Sequence, residues 1–198
     1  MTTTKSKKTT TTKKRSSTPI PELSSNPFAF EVLELASKQR TIAKKVEVLK
    51  KYKHDSLVAI FVWNYDDSIV SALPEGDVPY AGTAEQEVFQ GTIGERIKDS
   101  VSKMNELGTK SLGSQDQGHT TIRKEYDKFF NFIKGGNDSL SNLRRETMFI
   151  NIISGLHPFE SEILLLCKDK KLETKYKIEK KHIAQAYPEI IWRDGFTL

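Results

Sequence analysis

Residues 137–188 read NDSLSNLRRETMFINIISGLHPFESEILLLCKDKKLETKYKIEKKHIAQAYP, and the fold turns on how this segment is parsed. Ser139 and Ser141 are capping residues for a helix in which Leu143, Phe149, Ile150, Ile153 and Leu156 recur at helical spacing. His157-Pro158 ends that helix, because proline disfavours the α region for the residue before it. A second helix is predicted over 160–168, with acid at its start and lysine at its end, as the helix dipole favours. The chain then turns through 169–177 and re-enters a short helix over 178–187, which Pro188 closes. The segment is read as a helical hairpin with a basic turn. Seven lysines and three acids fall between Lys168 and His182. Lysines held in a turn between two apolar helices present ammonium and loop N–H groups from a rigid base, which is what a phosphate-contacting loop requires. The competing reading is a solvated lysine-rich turn without a ligand.

Working outward, 198 residues suffice for one domain with a real core, plus a tail. Charged residues make up 29% of the chain and mean hydropathy is −0.52, which favours a soluble protein. No apolar run approaches the roughly 20 residues of a membrane span. The N-terminus also lacks the apolar core of a signal peptide. An intracellular protein is therefore expected. The single cysteine, Cys167, lies in an apolar row and is expected to be a buried structural thiol.

The formal charge of +5 is unevenly shared. Six of the 31 basic side chains, Lys5, Lys7, Lys8, Lys13, Lys14 and Arg15, lie within residues 1–21, which hold none of the 26 acids. The remainder carries 25 basic against 26 acidic groups and is close to neutral. Residues 1–25 are threonine, lysine and serine with almost no apolar side chains, and are expected to be a disordered tail. Lys13, Lys14 and Arg15 make that tail a basic arm for nucleic acid, or simply a solubilising extension.

Residues 26–191 read as one all-α domain of about six to eight helices, with 192–198 as a C-terminal extension. Asn26-Pro27 supplies an N-cap and an N1 proline ahead of Phe28, Val32, Leu33 and Leu35. Thr41 caps a helix with Ile42, Val46, Leu49 and Tyr52 on one face, and Lys44, Lys45, Lys50, Lys51 and Lys53 opposite. A third helix starts near Asp55-Ser56. Residues 73–80 are a turn-rich connector, and Ile93, Ile97 and Val101 mark a further helix. Residues 107–119 read as a Gly/Ser/Gln-rich loop. A helix over 120–133 carries Ile122, Tyr126, Phe129, Phe130 and Ile133, and Gly135-Gly136 ends it. Trp192 and Phe196 are expected to pack the C-terminal extension onto the core.

Nothing in the sequence argues for catalysis. The histidines, His54, His119, His157 and His182, form no metal-ligand spacing with each other or with cysteine. Neither a GxxxxGK[ST] phosphate loop nor a GxSxG elbow occurs. Asp66-Asp67 are adjacent, so on a helix they would point apart. A non-catalytic protein without cofactor or metal is expected.

Two runs resemble the helical N-terminal DNA-binding domain of phage-type ATP-dependent DNA ligases. One is Val32-Leu33-Glu34-Leu35-Ala36-Ser37 followed by Thr41-Ile42-Ala43-Lys44-Lys45-Val46-Glu47-Val48-Leu49-Lys50-Lys51. The other is Leu164-Leu165-Leu166-Cys167-Lys168-Asp169 followed by residues 178–188. The ligases' glycine in this second region has no counterpart among residues 170–177, where lysines stand instead. Their Lys-x-Asp-Gly adenylation motif is matched only by Trp192-Arg193-Asp194-Gly195, which lacks the nucleophilic lysine. The chain is also similar to small tailed-phage proteins with an LP-E-G-x-x-P-Y connector, here residues 73–80, and an HP-x-x-x-E-x-L-L-x-x-K-D-K-K-L hairpin, here residues 157–172. What the resemblance implies is a non-catalytic, largely sequence-independent binder of double-stranded DNA. Its expected phosphate contacts are Lys168, Lys170, Lys171, Lys175, Lys177 and Lys181, with Arg144 and Arg145 as lesser ones. The alternative is a protein-interaction or virion module, with phage replication, transcription or virion proteins as partners.

Overall fold

Helices make up the regular structure among the described residues of this computed structural model, which are 20–76, 91–109 and 118–197. They are α1 (Ala29–Ser37), α2 (Ile42–Lys51), α3 (Asp55–Tyr65), α4 (Ile93–Glu106), α5 (Ile122–Glu125), a 3-10 helix (Tyr126–Phe132), α6 (Asn142–Gly155), α7 (Pro158–Lys168), α8 (Leu172–Tyr176) and α9 (Lys180–Ala186). The expected all-α class is therefore found. The count exceeds six to eight because α5 and α8 are pieces of four and five residues.

Local chemistry explains most of the starts. Thr92 and Glu95 form a reciprocal capping box at α4. The Oγ of Ser141 accepts from Arg144 N at α6, and His157 Nδ1 accepts from Phe159 N at α7, where Pro158 sits at the first helical position. α1 begins two residues later than Asn26-Pro27 suggests. The Phe28 N–H goes to Glu31 Oε2 (2.9 Å) and the Ala29 N–H to the distant Glu160 Oε1 (3.2 Å).

α7 is the hub. It packs on α1, α3, α4, α6 and α8, and Ile163, Leu164 and Cys167 are fully buried. Burial pushes the Cys167 thiol pKa up, away from reactivity. Two aromatic groups flank this axis. Trp63 meets Phe129, Phe132 and Phe149, and His157 stacks among Phe28, Phe30 and Phe159. Both ends of the described residues are tied in as well. Ile20 and Leu23 already pack on the core, so the packed domain reaches back beyond the expected boundary at residue 25. Trp192 is buried and meets Phe196 edge-on at 6.2 Å, with the Lys180 ammonium 4.7 and 4.8 Å from the two rings.

Three expected core positions lie outside it. Leu143 is 75% exposed, Phe130 49% and Ile42 47%. The segment 126–132 is a 3-10 helix, whose period of three buries Phe129 and Phe132 and turns Phe130 outward. On α2 the inward face runs through Val48 and Leu49 rather than through Ile42.

Candidate nucleic-acid interface

The predicted basic turn is built differently from a plain loop. Leu166 O accepts from Lys171 N (2.8 Å), closing α7 through Lys170, which takes the left-handed conformation (φ 55°). α8 follows, capped by a second left-handed residue, Lys177 (φ 52°, ψ 36°), whose N–H bonds Glu173 O at 2.8 Å. Glycine is the usual residue at such helix ends, because a Cβ is crowded there. Both left-handed positions carry lysine.

The side chains then divide. Lys168 is buried, and its ammonium donates to Pro74 O and Gly76 O at 2.8 Å each, and to Asp169. It locks the 73–76 connector to the end of α7, so the expected phosphate contact at Lys168 is corrected to a structural tie. Lys170 is half-buried and donates to Asp66 O (2.5 Å); burial lowers its pKa. Lys175 pairs with Glu162 and lies over the Phe159 and Tyr176 rings. Arg145 is also corrected. Its guanidinium is buried and donates to Asn131 O (2.7 Å), Asn137 O (2.9 Å), Leu140 O (3.2 Å) and Asn142 Oδ1 (2.9 Å). Arg144 is exposed on α6, which packs on α7 and the 3-10 helix rather than beside the lysines.

Three lysines of the predicted set face solvent: Lys171, Lys177 and Lys181. Lys171 lies 3.7 Å from Asp169 and Lys181 2.5 Å from Glu179. Lys177 forms no ion pair among the described residues, and its carbonyl accepts from Lys45 Nζ at 2.6 Å. That bond brings α2 to the turn, and α2 also packs on α9, which carries Lys181. At the far end of α2, Leu23 N donates to the Tyr52 hydroxyl (2.8 Å) and Glu22 pairs with Lys51. The root of the basic tail thus stands roughly 10 Å along α2 from Lys45. The sequence pattern puts Lys45 on the polar face of α2 but does not join it to the turn, because hydrophobic periodicity carries no information on which helices meet. Lys13, Lys14 and Arg15 lie outside the described residues.

Beside this surface, Asp66 is buried and accepts from Ser68 N, Ser68 Oγ and Arg193 N. Burial alone would raise its pKa; these donors outweigh it and hold the carboxyl below the usual range. Asp194 pairs with Lys180 and accepts from Asp67 N (2.9 Å). The Trp192-Arg193-Asp194-Gly195 run is thus a fastening for the C-terminal extension. Among the described residues no group of three or more His, Cys, Asp or Glu is placed to hold a metal ion, and no helix is long and apolar enough to cross a membrane.

The described residues thus form an all-helical domain with a lysine-bearing surface around α8. The chain belongs to DUF6433, described as a family of unknown function, whose model matches residues 32–107 and 109–174. No curated protein and no solved structure matches it.

Proposed function

We propose that the chain is a non-catalytic, largely sequence-independent binder of double-stranded DNA, with a phosphate-contacting surface formed by Lys171, Lys177 and Lys181 beside α2 and extended by the basic tail. The observation that carries this reading is Lys177. It occupies a backbone conformation that costs a residue with a Cβ about 1 kcal/mol or more, yet presents an exposed ammonium that forms no ion pair among the described residues. Glycine would relieve the strain and lose the charge. A lysine at that position is consistent with a role for the charge. The ion pairs at Lys171 and Lys181 do not oppose this, since exposed pairs are worth about 0–1 kcal/mol and exchange readily for phosphate. A largely sequence-independent mode fits three exposed lysines, since phosphate contacts position a duplex without carrying sequence information. The ligase-like runs support double-stranded DNA as the form bound, and a tailed phage as the setting.

Fluorescence anisotropy on nicked and intact duplexes across a salt series tests the proposal. Lys171→Gln, Lys177→Gln and Lys181→Gln together should weaken binding and lower the salt slope by about one unit per lost phosphate contact. That loss should persist in protein lacking residues 1–18. Binding that depends on the tail alone, indifferent to the three substitutions, would refute the surface.

A further inference from the structure

The face of α6 turned away from α7 has no use in DNA binding as proposed, and its shape is unusual for a solvated helix. Leu143, 75% exposed, stands with half-buried Leu140 and Met148 and buried Ile152 over an open groove of about 680 Å³ between α6 and the α5/3-10 segment. Apolar side chains gathered in one groove, rather than scattered singly, mark interaction sites. The charges at the rim are lopsided. Glu125, its one carboxylate, is held by Lys128 (2.6 Å) and by the Thr120 hydroxyl (2.7 Å). Arg144 is exposed and forms no ion pair among the described residues, leaving a cation beside an apolar floor.

We infer that this groove takes an amphipathic helix of a partner protein, with apolar anchors at i, i+3/i+4 and i+7 entering along Leu143, Met148 and Ile152, and an acidic residue at its edge meeting Arg144. Helix-in-groove docking needs an apolar floor and charged rims that set orientation, and both are present. The occupant is acidic because the uncompensated rim charge is positive. The inference is independent of DNA binding, which uses other residues.

The test is a selection of displayed helical peptides, randomised at both apolar and charged positions, against the full chain, followed by fluorescence polarisation of the enriched peptides. Enriched peptides should carry the apolar spacing with Glu or Asp flanks. Leu143→Glu should weaken them at least about tenfold, the scale of a lost anchor, and Arg144→Glu should weaken the acidic ones several-fold. Both side chains are exposed, so the variants should keep the wild-type melting temperature, and Leu143→Glu, which removes no cation, should also keep the duplex affinity within about twofold. No enrichment, enrichment of basic peptides, or binding indifferent to both substitutions would overturn the inference. So would sedimentation showing a wild-type dimer that Leu143→Glu dissociates, since the groove would then hold a second copy.

Discussion

Arg145 illustrates how a charged residue in a basic sequence can be spent entirely inside the fold. Its donors satisfy three backbone carbonyls and one amide oxygen where the 131–142 loop meets α6. Replacing it by Met would leave the buried Asn131 O and three part-buried acceptors without these donors, and each buried group so stranded costs about 1–3 kcal/mol. Arg145→Met is accordingly expected to lower the unfolding free energy by about 3 kcal/mol or more in denaturant melts, whereas Arg144→Met, one residue away and exposed, should stay within about 0.5 kcal/mol. Glu160 is the acidic counterpart. Its two oxygens accept from Ala29 N (3.2 Å) and Ile122 N (2.9 Å), so one buried carboxylate joins the starts of α1 and α5 to the first turn of α7. Burial nevertheless raises its pKa, the two N–H donors only partly offsetting it. Glu160→Gln keeps one acceptor and turns an NH2 toward the other N–H, so a loss of about 1–3 kcal/mol is expected by thermal or chemical denaturation.

At the scale of the element, caps and breakers were legible and the short irregular pieces were not. Thr41 and Ser141 announce their helices because capping is a local interaction among neighbouring residues, and Pro158 marks where α6 stops, although α7 begins at that proline rather than at residue 160. The segment after Ile122 misleads because its aromatic pattern fits periods of 3 and 3.6 almost equally over seven residues. The 3-10 form makes a clear prediction: Phe132→Ala should cost about 3–5 kcal/mol as a cavity in the Trp63–Phe149 cluster, and Phe130→Ser well under 1 kcal/mol. A continuous α-helix would not separate them in this way. The lysine turn was legible as basic, but its sorting into buried ties and exposed cations was not. Lys168 and Lys170 are consumed by carbonyls of the 66–76 segment, some hundred residues earlier in the chain. No local pattern reports such a contact.

For the whole molecule, the near-neutral domain and the basic tail are separate electrostatic objects joined beside α2. Acid unfolding reports the domain. Asp194 is held at about 2, chiefly by the hydrogen bond from Lys180 and then by Asp67 N. A depressed carboxylate stabilises the fold above its ordinary value of 3.8, and that stabilisation disappears as pH falls from there toward 2. Glu160 acts in the opposite sense: with its pKa raised, its contribution to stability declines as pH climbs above the ordinary 4.5. Melting temperatures recorded from pH 2 to 6 should therefore show an acid limb that Asp194→Asn flattens below pH 4. Retention of the full limb in that variant would remove the Lys180–Asp194 fastening from the account.

The most direct measurement sets stability against affinity in one variant, Lys177→Gly. Chemical denaturation should find it neutral to more stable, by up to about 1 kcal/mol, because glycine takes the left-handed position without strain. Anisotropy on the same protein should find duplex affinity reduced and the salt slope lower by about one unit. A variant that is equally or more stable and binds DNA as tightly as the wild type would contradict the claim that the lysine is held there for phosphate.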